Sequence, residues 1–140
     1  MFRKILVAYD GSTGADRALA TALDLARLTG AELWALAVEE RLPHLAATVG
    51  EMEEEKEFAN RFYGAALARA SDQAARAGVP LRTELRPGHP ARTIVEFART
   101  GGFDLIVLGH CGHSAVWATF LGATTEKVSR HAPCSVLIVR

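Results

Sequence analysis

The chain is short of covalent staples, of charge of one sign and of long apolar runs. Only two cysteines, Cys111 and Cys134, occur in 140 residues. That is too few for a secreted disulfide scaffold, so both read as reduced intracellular thiols. Neither sign of charge is in excess, with 16 Lys plus Arg against 16 Asp plus Glu. A balanced chain offers no basic field to a phosphate backbone, which argues against nucleic acid as a main partner. No stretch approaches the roughly 18 apolar residues of a membrane span. Arg3 and Lys4 before Ile5-Leu6-Val7-Ala8 faintly resemble a targeting signal, but Asp10-Gly11-Ser12 cuts the apolar run short. The expectation is a cytoplasmic protein with no membrane contact.

What is present is enough for a core. Hydrophobic residues make up 49% of the chain, and a domain of this size buries roughly 68% of its unfolded surface. One domain over residues 1–140 is expected. Apolar runs alternate with amphipathic stretches. Ile5-Leu6-Val7-Ala8 is continuous and rich in β-branched residues, as suits a strand buried on both faces. Ala15, Ala18, Leu19, Ala22, Leu25 and Ala26 then recur at helical spacing up to Gly30, with Thr13 and Asp16 spaced as a capping box. Leu33 to Val38 reads as a second strand, Glu51 to Ala77 as a long helix closed by Gly78, and Leu81 to Arg86 as a third strand. Pro90 opens a third helix that stops at Gly101-Gly102. Leu105 to Leu108 is a fourth strand, Thr124 to His131 a short helix ended by Pro133, and Val136 to Val139 a last strand. This βαβαβαβαβ order calls for a parallel sheet with helices on both faces.

Ligands of such sheets sit beyond the carboxyl ends of the strands, where the strand order reverses. Two strand ends carry suitable residues. The first runs into Asp10-Gly11-Ser12, and the fourth into Gly109-His110-Cys111-Gly112, with Gly122-Ala123-Thr124 opening the last helix. Glycines let backbone approach a ligand and permit positive φ, and a helix start offers unpaired N–H groups to phosphate. Asp10 is suited to accept from ribose hydroxyls or to help hold a divalent cation. Plain turn chemistry explains the glycines equally well on spacing alone.

Three segments then carry a resemblance to one family. Ile5-Leu6-Val7-Ala8-Tyr9-Asp10-Gly11-Ser12, Asp104-Leu105-Ile106-Val107-Leu108-Gly109, and the last eleven residues from Arg130 to Arg140 together resemble the universal stress proteins over essentially the whole chain. Gly109, Gly112 and Gly122 hold the glycine spacing of that family's nucleotide-binding members. The resemblance implies a Rossmann-like three-layer α/β/α domain with a five-stranded parallel sheet in the order 3-2-1-4-5. It implies an ATP, ADP or AMP site at the switch point, with Mg2+ as an accompanying ion. Asp10 would meet the ribose, the backbone of Ala8, Tyr9 and Val38 the adenine. Gly109 and Gly112 would line the phosphates, closed by Gly122, Ala123 and Thr124, with Leu108 and His110 also among the nucleotide-binding residues. Ala123 departs from the pattern, which has Ser or Thr there, so one hydroxyl donor to phosphate is missing.

Other chemistries find less support. There is no Walker A sequence, and Gly112-His113-Ser114-Ala115-Val116 lacks the second glycine of a nucleophile elbow. His110, Cys111 and His113 match no common zinc spacing and read as loop polar groups. Cys134, between Pro133 and a strand, reads as a small apolar filler, and Trp34 as core. Trp117, with Phe120 nearby, reads as cover for a ligand or a subunit contact. The acidic run Glu51, Glu53, Glu54, Glu55 and Glu57, with Lys56 among them, reads as a solvated helix start, with a partner-docking role as the alternative. The expected function is a nucleotide-binding stress-response regulator, not a turnover enzyme. It would be a homodimer through the apolar edge strand Val136–Val139. The alternatives are a dimeric interaction module that has lost nucleotide binding, and a weak ATPase.

Overall fold

The continuous apolar runs become the inner strands of one sheet because helices cover both of its faces. In the computed structural model, which describes residues 1–40, 48–110 and 121–140, nine elements follow one another. They are β1 (Lys4–Ala8), α1 (Thr13–Thr29), β2 (Glu32–Glu39), α2 (Val49–Ala77), β3 (Arg82–Pro87), α3 (Pro90–Gly101), β4 (Leu105–Gly109), α4 (Ala123–His131) and β5 (Ser135–Val139). The strands form one parallel sheet in the order β3-β2-β1-β4-β5. The expected three-layer fold and strand order are those observed.

Alternation along β1 divides the core. Ile5 and Val7 pack with α1 and α2, whereas Leu6 packs with α3 and α4. All three are fully buried, and each such side chain contributes roughly 1.5–3 kcal/mol of transfer free energy. This is why the run shows no polar alternation. Helices α1, α2 and α3 stop at Gly30, Gly78 and Gly102, each in the left-handed conformation with its N–H returned to the preceding turn. Helix α4 has no such glycine and ends at Ala132, before Pro133.

Two local expectations are corrected. The cap of α1 is Ser12, whose side chain accepts from Ala15 N, and not Thr13. The left-handed turn at Gly11 places Ser12 in extended backbone, so the helix begins at Thr13 itself. Trp34 is half-buried: it packs edge-on against Phe97 and Phe103, beneath Lys4 and Arg82, with its indole N–H lacking a partner among the described residues. Helix α2 does start with a capping box, between Thr48 and Glu51, and its first turns lie in solvent.

Candidate functional site

At the carboxyl ends of β1 and β4 the chain turns to opposite faces of the sheet, α1 lying on one and α4 on the other. A divergence of this kind is where open α/β sheets form their ligand crevice, here between the N-termini of α1 and α4.

The β1 side is closed on itself. Tyr9 N donates to Leu36 O at 2.9 Å, which fixes the exit from the strand. Asp10 Oδ1 accepts from Ser12 N at 2.9 Å, a two-residue side-chain turn that draws the chain round. Gly11 has φ +80°, and a Cβ there would stand 3.2 Å from Ala66 of α2. Arg69, also on α2, donates to Gly11 O at 2.9 Å. The Tyr9 ring is buried in the α1–α2 core, and its hydroxyl donates to Asp16 at 2.5 Å. Burial first, and the Asp16 carboxylate second, push the Tyr9 phenol above its ordinary range, against the opposing Arg69 charge.

The β4 side is built differently. Gly109 abuts α1 so closely that a Cβ on it would meet the carbonyl carbon and oxygen of Gly14 at 2.8 Å. His110 N donates to Val139 O at 2.8 Å, and Gly122 N donates to His110 O at 3.0 Å. These two bonds bring the start of α4 beside the end of β4. Thr125 Oγ1, buried, donates to Gly109 O at 2.9 Å and locks the first turn of α4 onto the strand. Gly122 occupies the N-cap of α4, and among the described residues no side chain caps that helix.

The named residues therefore gather at one end of the sheet. Ala8 ends β1, and Asp10 and Val38 are half-buried beside it, Val38 facing the α3–α4 layer. Leu108 has its side chain in the core. Gly109, His110 and Gly122 meet through the bonds above, Ala123 is exposed, and Thr124 is half-buried. Gly112, Cys111, His113, Trp117 and Phe120 lie outside the described residues, as do Pro43 and His44. The positive φ expected of the glycines is corrected: Gly122 has φ −61°, and Gly109 is not among the positive-φ residues. Gly109 answers to close approach instead.

Sequence reasoning missed the residues that come from further away. Thr125, Glu39, Tyr63 and Arg69 belong to this end of the sheet, and Ser12, named above only as a loop residue, caps α1 there. Glu39 is a buried carboxylate one residue beyond Val38. Tyr63 lies near Asp10, Glu39 and Glu40; burial chiefly raises its phenol pKa, and those charges add to it, against a backbone hydrogen bond from Glu40. Only Ser12 had a local signal, a hydroxyl residue just before an apolar period. Among the described residues, no three His, Cys, Asp or Glu converge to hold a metal. No helix among them is long and apolar enough to cross a membrane.

Chemically, the crevice offers a carboxylate, backbone amides and an uncapped helix start, which suit a ligand with hydroxyls at one end and anionic oxygens at the other. Comparisons with known proteins agree in kind. The sequence model of the universal stress protein family matches residues 1–140. A universal stress protein of Thermus aquaticus, encoded 3′ of a QAH/OAS sulfhydrylase, is 40% identical over the full length of both chains. The solved universal stress protein UspA of Lactobacillus plantarum superposes with a TM-score of 0.85 at 30% identity, covering 99% of this chain and 98% of its own. A universal stress protein crystallised with cAMP superposes at 0.77 with 26% identity, covering 99% and 97%.

Proposed function

Since this chain belongs to the universal stress protein family, we propose that it binds an adenine nucleotide between the start of α4 and the β1–α1 loop, and works as a binding switch, not a turnover enzyme. One observation carries the reading: α4 starts at the switch point with a glycine cap and, among the described residues, no side-chain cap for its first N–H groups. Uncapped N–H groups at a helix start favour an anion by both hydrogen bonding and dipole. The adenine would lie along the backbone of Ala8, Tyr9 and Val38, and the ribose against Asp10. Gly109, His110, Gly112, Gly122, Ala123 and Thr124 would enclose the phosphates above Leu108. The cAMP-bound relative supports the ligand class. We take ATP as the preferred ligand, with AMP and ADP as competitors. A Mg2+ ion would be held mainly by the phosphates, as that ion usually is.

The second reading, an interaction module without nucleotide, is favoured by Ala123, whose exposed methyl group stands where relatives of the binding branch offer a hydroxyl. Calorimetry of the purified protein with ATP, ADP and AMP decides between them. The expected outcome is micromolar to sub-millimolar binding of ATP, lost in Gly122→Val because branched carbons fill the phosphate space. No heat with any of the three nucleotides would establish the second reading.

Dimerisation belongs to the same proposal. Strand β5 is one outer strand of the sheet, and Val136, Leu137, Ile138 and Val139 are each half-exposed. Strand β3, the other outer strand, is guarded by Arg82, Glu84, Arg86 and Pro87. Pro and charge block edge pairing, and their absence invites it. A two-fold copy pairing antiparallel along β5 would satisfy both edges. Light scattering at micromolar concentration should give twice the monomer mass; a monomer would refute the pairing. The cytoplasm suits Cys134, a free thiol whose pKa is raised by burial and, less, by Asp104.

A further inference from the structure

Helix α2 is longer than the sheet it covers. At about 1.5 Å per residue its 29 residues run roughly 43 Å, whereas the eight residues of β2 span roughly 26 Å. Its buried residues, Ala66, Leu67, Ala70 and Ala74, all lie in the second half. The first half projects into solvent. Val49, Met52, Phe58 and Phe62 there are 74%, 51%, 67% and 47% exposed, four of the six exposed large hydrophobic side chains among the described residues. Single exposed apolar residues need no explanation, but a concentration on one helix does. Glu51, Glu54, Glu55, Phe58 and Phe62 follow one another at i, i+3, i+4, i+7 and i+11, so they share one face, acidic at its start and aromatic at its end.

The opposite layer carries the complement. A groove of about 640 Å³ runs between α3 and α4. Its α3 wall repeats the same spacing with Arg92, Val95, Glu96 and Arg99, and α4 adds Lys127 and Arg130. Ala91 and Val95 line its floor but are themselves buried, at 5% and 7% exposure. Arg130 is paired with Glu126, while no ion pair of Arg92, Arg99 or Lys127 is found among the described residues. Arg92 to Arg99 and Glu51 to Phe58 each cover eight residues, seven steps or about 10 Å of helix axis. The two surfaces thus match in length and in charge.

They cannot meet within one molecule. Helix α2 packs on the α1 side of the sheet, and α3 and α4 on the other. We propose that the α3–α4 groove receives the acidic, aromatic face of the first half of α2 from a second copy of this chain. The contact joins two different surfaces, so it leaves a groove open at one end of the assembly and a helix open at the other. Copies add until the rotation closes a ring. It is independent of β5 pairing, which would only set the unit that propagates.

Salt separates this contact from edge pairing. Sedimentation velocity of the full chain should show concentration-dependent growth at about 0.01 M salt, where charges reach about 30 Å, and none at about 1 M, where they reach about 3 Å. Arg92→Glu with Arg99→Glu should abolish the growth, as should Glu54→Lys with Glu55→Lys in α2. All four positions are exposed, so the fold should survive. An equimolar mixture of the two variants should regain association, since each then offers one intact surface and one reversed surface, and the reversed pair also match. No growth at low salt in the unmodified protein would overturn the proposal. Growth that survives 1 M salt, or survives either reversal, would also overturn it. So would growth sensitive only to the groove reversal, which would assign the groove to another acidic segment.

Discussion

The two loops that frame the crevice solve the same problem in opposite ways. The β1–α1 loop is tied by partners from the protein. Ser12 caps the helix, Asp10 holds the Ser12 N–H, Arg69 holds the Gly11 carbonyl, and Tyr9 is tied to Asp16. The β4–α4 loop is fixed where it meets the sheet, through His110, Gly122 and Thr125, but its helix start has no side-chain cap among the described residues. A helix end is costly to leave unsatisfied and cheap to satisfy with one serine, as α1 shows. The difference teaches where structure ends and phosphate binding begins. Ser12 and Arg69, which tie the first loop, should govern stability, and the start of α4 should govern phosphate affinity. Asp10 should serve both fold and ribose.

The largest effect is expected where the two halves touch. Gly109→Ala puts a methyl group against backbone atoms of Gly14, which cannot rotate away. Overpacking of this kind costs about 1–3 kcal/mol, or a Tm lower by roughly 3–10 °C. Because the clash pushes α1 and β4 apart, ATP binding should fall as well. Thermal unfolding and calorimetry on the same preparation check both, and an unchanged Tm would remove the close contact from the account.

Ala123→Ser sharpens the comparison from the open side. Restoring a hydroxyl at the first turn of α4 should tighten ATP by about 1–2 kcal/mol, roughly tenfold, with AMP gaining less. Stability without nucleotide should change by less than about 0.5 kcal/mol, as at most exposed positions. Equal ATP affinities for both proteins would mean that this hydroxyl position does not face phosphate.

Ser12→Ala is the mirror experiment. Loss of the cap should cost about 1 kcal/mol of stability and lower the Tm by a few degrees. ATP affinity should stay within about twofold, since α1 would lose a structural acceptor and no ligand contact. A tenfold loss of affinity with an unchanged Tm would break the comparison, because the closed loop would then be a ligand loop.

The smallest effect is in the pH profile. The phenols of Tyr9 and Tyr63 both have pKa values raised above the ordinary 10.0 in the folded protein, mainly by burial. A raised folded pKa contributes stability that is fully present below the unfolded value and is lost as pH rises through the folded one. Stability should therefore decline above pH 10.0, and Tyr9→Phe should flatten part of that decline in alkaline unfolding curves. An unaltered alkaline limb in Tyr9→Phe would place the loss elsewhere.

Much of this was legible in the residues, and the misses have a common cause. The strands and three of the helix ends could be read directly. An inner parallel strand needs a continuous apolar run, and Gly30, Gly78 and Gly102 can take the left-handed turn that other residues resist. The cap of α1 was displaced by one residue, from Ser12 to Thr13, because both carry a hydroxyl and the choice rests on the turn at Gly11. Thr124 was singled out next to Thr125, and about 100° of helix rotation per residue decides which of them reaches Gly109. Gly109 and Gly122 were recognised, but for a conformational reason that neither shows.

The sequence alone determined the order of elements, the parallel sheet covered on both faces, the contrast between a charged β3 and an apolar β5, and the family. Each of these follows from periodicity, turn chemistry or short motifs, which act over a few residues of chain. Tertiary structure alone decided that Arg69 would hold the Gly11 carbonyl 58 residues away, that Gly109 would press on Gly14, and that the first half of α2 would overhang the sheet. These depend on how strand order and helix packing bring distant segments to within a few ångströms, and backbone propensity carries no record of that distance.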